Sequence, residues 1–94
     1  HPHRLRRVVC ACARAGYPEP GRAMWDQRAA TVRADGLPAI VEETLGRWFT
    51  PAVAPEVVEA ARRMVLGTSK AGYLSCIAAL RGLDYEGDLG RIRV

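Results

Sequence analysis

Four aromatic residues, Trp25, Trp48, Phe49 and Tyr73, together with Arg47, have the side-chain types that suit the binding of a small, partly apolar molecule. Trp and Phe rings offer flat apolar walls, a tyrosine adds a hydroxyl that donates and accepts, and a guanidinium matches a carboxylate through two parallel N–H bonds. Each has a structural alternative. An aromatic residue on an amphipathic helix packs into a core, and an arginine at a helix end sits in solvent, favoured by the helix dipole. No motif that arranges side chains for bond breaking is present. Ser69 and Ser75 lie in no Gly-x-Ser-x-Gly elbow, and His1 and His3 crowd the amino end without an orienting carboxylate at motif spacing. The set of catalytic residues expected in this chain is therefore empty. Cys10, Cys12 and Cys76 are odd in number, and the first two, two apart on a strand, would share one face without disulfide geometry. They are expected as reduced, small buried residues. A zinc site would need ligands beyond His1 and His3, so no metal and no other cofactor is expected.

A chain of 94 residues, 49% of them hydrophobic, suffices for one small domain. No apolar run approaches the roughly 18 residues of a spanning helix, and residues 1–7 lack the apolar core of a signal peptide. The expectation is a soluble, cytoplasmic protein that does not engage a membrane. The net charge of +4 raises the question of nucleic acid, because clustered cations neutralise phosphates. Apart from Arg4, Arg6 and Arg7, however, the basic residues are spread along the chain and interrupted by Asp26, Asp35, Glu42, Glu43 and Glu59. That distribution describes a solvated surface, and no nucleic-acid partner is expected.

The elements that must position the aromatic residues can be read from periodicity and punctuation. Residues 5–13 form a nearly continuous run of β-formers and small side chains, the pattern of a buried parallel strand, and residues 14–21, with four Gly or Pro, read as the loop after it. Trp25, Ala29 and Val32 recur at helical spacing, which predicts a helix over 22–35 stopped by Gly36. Pro38 suits the first turn of a second helix reaching Phe49, with Leu37, Ile40, Val41, Leu45, Trp48 and Phe49 on its stripe. Pro55 opens a third helix, with Val57, Val58, Ala61, Met64 and Val65 as its inner face, and Gly67 closes it. Thr68 or Ser69 caps a fourth, buried through Tyr73, Leu74, Ile77, Ala78 and Leu80 and ended by Gly82. Residues 84–90 read as loop, and Ile92 and Val94 alternate with arginines as a strand would at its start.

The run WDQRAATVRADG at 25–36, followed by RWFTP at 47–51, Gly72-Tyr73 and residues 76–80, resembles the cap segment of the 3-oxoadipate enol-lactonases, within the α/β-hydrolases. Residues 1–9 and 88–94 resemble the approaches to the sixth and seventh strands of the hydrolase sheet. The fold class implied is mainly α: four short cap helices over 17–83, flanked by a core-strand remnant and loop at 1–16 and by a return loop and strand start at 84–94. The resemblance further implies that the serine, acid and histidine of the parent enzyme lie outside this stretch, so that the fragment alone is inactive. It implies that the cap covers the pocket and shapes the choice of a small lactone, through Trp25, Trp48, Phe49 and Tyr73. Two other readings remain at this point: a free-standing helical interaction domain, dimerising through apolar helix faces or unpaired strand edges, and a small DNA-binding regulator. The second has no helix pair with a basic recognition face to support it.

Overall fold

The computed structural model describes Arg4 and residues 6–92. Four α-helices dominate: α1 (Glu19–Asp35), α2 (Val41–Trp48), α3 (Pro55–Leu66) and α4 (Lys70–Arg81), with 3₁₀ segments at Leu37–Ala39 and Glu86–Arg91. The mainly helical expectation holds, and proline and glycine mark most of the boundaries. Helix α1 begins three residues earlier than its apolar periodicity predicts. Pro20 stands in its first turn, where an N–H would have had no partner in any case, and the Pro18 carbonyl accepts from the amides of Gly21 and Arg22. Thus a stretch that reads as loop by its Gly and Pro content is a helix start. Pro55 opens α3 in the same way. At α4 the cap is Ser69, whose hydroxyl oxygen accepts from the Gly72 amide at 3.2 Å, while the Thr68 hydroxyl donates back to the Met64 carbonyl and belongs to the end of α3.

Gly36, Gly67 and Gly82 all end helices, but only Gly36 does so with left-handed backbone, at φ 78°. Its amide donates to the Val32 carbonyl and the chain turns sharply into the 3₁₀ segment, so Leu37 and Ile40 fold back beneath Val32. Gly36→Ala should therefore cost about 1–3 kcal/mol, because φ 78° with ψ −174° is a backbone region that essentially only glycine occupies, and the loss is measurable by urea denaturation. Gly82→Ala, whose new Cβ would lie an ordinary 3.5 Å from the Ala78 carbonyl, carries no such penalty.

Helices α1 and α4 pack antiparallel. The Lys70 ammonium donates to the Arg33 carbonyl at 2.6 Å at one end of the pair, and Arg81 meets Asp26 at 2.6 Å at the other. That hydrogen bond, and then the Asp26 charge itself, hold the Arg81 guanidinium above its usual pKa; in so exposed a pair this fixes alignment more than it adds stability. Helix α2 packs on α3, where Arg62 reaches from α3 to Glu42 on α2 as well as to Glu59 on its own helix. Two apolar clusters result. Val32, Leu37 and Ile40 are covered by Tyr73 and Leu74; Val41, Leu45 and Val65 are covered by Phe49, Val58 and Ala61.

The structure corrects several sequence expectations. Residues 7–15 form no strand: Val8 and Val9 are exposed, as are Cys10 and Cys12, which were expected to be buried, and so is Cys76. A run of β-formers becomes a strand only when neighbouring backbone accepts its hydrogen bonds, and among the described residues no strand pairs with 7–14. The return segment is helical, as 3₁₀ turns over Glu86–Arg91, rather than loop; Ile92 follows in extended conformation. Arg93 and Val94, where a second strand was expected to begin, lie outside the described residues, as do His1 and His3. On α3, Val57 and Met64 face outward, Met64 at 75% exposure, and on α4 Ala78 and Leu80 are exposed as well. No described helix is long and apolar enough to cross a membrane.

What β structure exists among the described residues is a single antiparallel bridge between Gly16 and Asp84, with the Tyr85 amide donating to the Ala15 carbonyl at 2.7 Å. It joins the segment leading into α1 to the segment leaving α4. Gly16 is buried there, and a Cβ at this position would come within 3.2 Å of the Leu83 carbonyl, so the approach depends on glycine. The four helices are thereby closed into a loop whose two ends lie side by side.

Candidate functional site: an aromatic hollow with a buried arginine

Between α1, α2 and α4 lies a hollow of about 200 Å³. Trp25 comes from α1, Trp48 from the last turn of α2 and Tyr73 from the first turn of α4, so three of the four aromatic residues singled out by type converge on one place. Ile40, Val65 and Ile77, all buried, line its deeper part, and exposed Cys76 and Leu80 lie at its rim. Trp48 is 61% exposed. A tryptophan kept that open is not held as core, whereas Trp25 and Tyr73 are half-buried and serve both the packing and the hollow. The Trp25 ring meets Tyr17 edge to face, with centroids 5.8 Å apart at 88°, and the Arg14 guanidinium stands 5.0 Å over the Tyr17 ring. The Trp25 indole N–H is buried and meets no acceptor among the described residues, a costly condition for a donor.

Phe49 does not line the hollow. It caps α2 in extended conformation, its amide bonded to the Leu45 carbonyl, and its ring covers the Val41, Leu45 and Val65 cluster. Arg47 is also absent from the aromatic hollow. It lies beside a second, more polar depression of about 320 Å³ along with Met24, Gln27 and Glu43, and pairs with Glu43 at 3.6 Å. The larger depression is the poorer candidate for a small organic ligand, because such sites are apolar with few, well-placed polar groups.

Arg28 is the polar residue that sequence reasoning passed over. It lines both depressions, its side chain is only 10% exposed, and its Nη2 donates to the Thr44 hydroxyl oxygen at 3.3 Å while standing 3.6 Å from the Glu43 carboxylate. One signal was available: Arg28 follows Trp25 by three positions, which puts both on one helix face. Nothing in composition distinguishes it from the chain's other arginines. The hollow thus offers almost wholly apolar walls, with the largely buried Arg28 guanidinium among its lining residues, and no histidine lies among them. It can hold and orient a small molecule.

Compared with known proteins, the chain is 35% identical over 96 aligned residues to the 3-oxoadipate enol-lactonase 2 of Acinetobacter baylyi (strain ATCC 33305 / BD413 / ADP1). The chain is similar to a lactonase. The alignment takes in 99% of this chain, so the hollow and every residue named around it fall within the similarity. It takes in 35% of the relative, and the chain therefore spans about a third of the length of the lactonase it matches. No family model matches the chain, and no solved structure does.

Proposed function

We propose that this chain is the helical cap of an α/β-hydrolase of the 3-oxoadipate enol-lactonase kind, acting on a small lactone in aromatic degradation. The observation that carries the reading is the convergence of Trp25, Trp48 and Tyr73, from three helices, on one small apolar hollow. Two further facts support it. The bridge at Gly16 and Asp84 sets the ends of the helical unit side by side, as a segment inserted between two neighbouring strands of another domain requires. The similarity to the lactonase runs through the whole chain yet reaches only a third of the relative, leaving room for the catalytic parts outside it.

In the enzyme so completed, a serine outside this chain attacks the lactone carbonyl, backbone N–H groups hold the oxyanion, and water cleaves the acyl-enzyme to release 3-oxoadipate. The cap contributes no atom to that exchange. It covers the reacting carbonyl, excludes bulk water and sets the orientation of the lactone ring against Trp25, Trp48 and Tyr73. Phe49, packed in the second cluster, acts on the pocket only by holding the end of α2. Substrate is the partner; no nucleic acid or membrane has a part in the reading.

A chimera tests it. When residues 15–85 replace the aligned segment of the Acinetobacter lactonase, the product should fold and hydrolyse 3-oxoadipate enol-lactone, followed by loss of the enol-lactone absorbance. A folded chimera that hydrolyses simple esters but not the enol-lactone would place this cap on a different hydrolase. One that folds and hydrolyses neither would remove the cap reading altogether.

A further inference from the structure

Charge and hydrogen-bonding capacity around the aromatic hollow are out of balance. Arg28 and Arg47 both stand 3.6 Å from a single carboxylate, that of Glu43, so the three side chains together carry one uncompensated positive charge. Glu43 is largely exposed and Arg28 is not, which leaves the cation on the protein side and its counter-charge in water, where it is screened. Both contacts of Arg28 use the same nitrogen, Nη2, and its Nη1 has no partner among the described residues. The Trp25 indole N–H has none either, but it is fully buried and is not itself offered to a ligand. Donors are in surplus, and an ionised carboxylate accepts and never donates.

We infer that the hollow is a binding site for a small, flat organic acid, whose ring lies among Trp25, Trp48 and Tyr73 and whose carboxylate is taken by the Arg28 guanidinium. At about 200 Å³ the space falls below the roughly 300–1,000 Å³ of sites for drug-sized ligands, which restricts the occupant to about one ring and its acid group. Thr44, by accepting from Nη2, holds the guanidinium plane and leaves its remaining N–H groups to a ligand. The inference deepens the cap reading by assigning the acidic end of the substrate to Arg28, and it rests on that reading only for the identity of the substrate. Binding of the acid is a property of this chain's own residues.

The test has two arms. In the first, the chain is titrated with benzoate and with neutral benzyl alcohol while the two indole N–H resonances are followed by NMR. Benzoate should shift the Trp25 and Trp48 signals and bind more tightly than benzyl alcohol. Arg28→Gln should weaken benzoate about 10- to 100-fold, the effect of losing a charged hydrogen bond, and leave benzyl alcohol unchanged. Arg28→Lys, which keeps the charge and the stem but not the fork, should fall between them and decides the matter if the Gln variant does not fold. Equal binding of the two ligands, or benzoate binding indifferent to both substitutions, would overturn the assignment. In the second arm, Arg28→Gln in the lactonase chimera should raise KM for the acid-bearing enol-lactone at least about 10-fold more than it raises KM for uncharged γ-butyrolactone. An unsubstituted chimera that hydrolyses neither lactone would count against the proposed function while the benzoate titration still judged the site.

Discussion

Leu45→Ala should lower the stability of the chain by about 2–5 kcal/mol, read as a shifted urea midpoint with an unchanged slope. Leu45 is 4% exposed and stands where α2 meets α3, between Val41 and Val65, under Phe49, Val58 and Ala61. Truncation removes the transfer energy of three carbons and leaves a cavity that two short helices, tied at their ends by the turn at residues 50–54, cannot close. A domain of this size has roughly 5–14 kcal/mol in total, so the loss is a large share of it. Met64→Ala supplies the contrast. Spacing alone puts Met64 on the inner face of α3 beside Val65, but at 75% exposure its truncation should change stability by less than about 0.5 kcal/mol. Comparable losses at both positions would mean that α3 is rotated from the orientation described.

In the lactonase chimera that tests the proposed function, Trp48→Ala should reduce kcat/KM for the enol-lactone about 10- to 100-fold, with stability changed by less than about 0.5 kcal/mol. The separation of the two effects follows from Trp48 being 61% exposed while lining the hollow: little of its surface is buried by the fold, and the remainder is available to a ligand. Phe49→Ala should show the reverse, a loss of stability larger than any selective loss of turnover, because its ring covers the second cluster and not the hollow. If Trp48→Ala cost stability and turnover in equal measure, Trp48 would be a packing residue and the hollow would lose a wall.

These two neighbours show how far the aromatic residues can be read before a structure is known. Trp48 and Phe49 look equivalent in the chain, adjacent and both at the end of an apolar stripe. The helix ends between them, Phe49 turns into extended backbone, and the two rings separate to opposite roles. Over residues 6–13, the described part of the strand expected at 5–13, no strand forms, for a related reason. Its β-formers state a preference that only a neighbouring strand can satisfy, and none is present among the described residues.

Local sequence sets most of the helix boundaries, because Pro55, Gly36 and Ser69 act through their own backbone or through bonds to residues three or four positions away, whereas Pro20 reads as loop and is a helix start only in the structure. It also determined which side chains were chemically suited to a ligand, since a ring or a guanidinium has its properties wherever it lies. Which of them meet depends on helix packing. Trp25, Trp48 and Tyr73 are brought together by the antiparallel pairing of α1 with α4 and the fold-back at Gly36, and Arg28 is singled out from other arginines by contacts sixteen and fifteen positions along the chain, to Thr44 and Glu43. Such contacts depend on how whole helices pack, and a local pattern of residues carries no information about them.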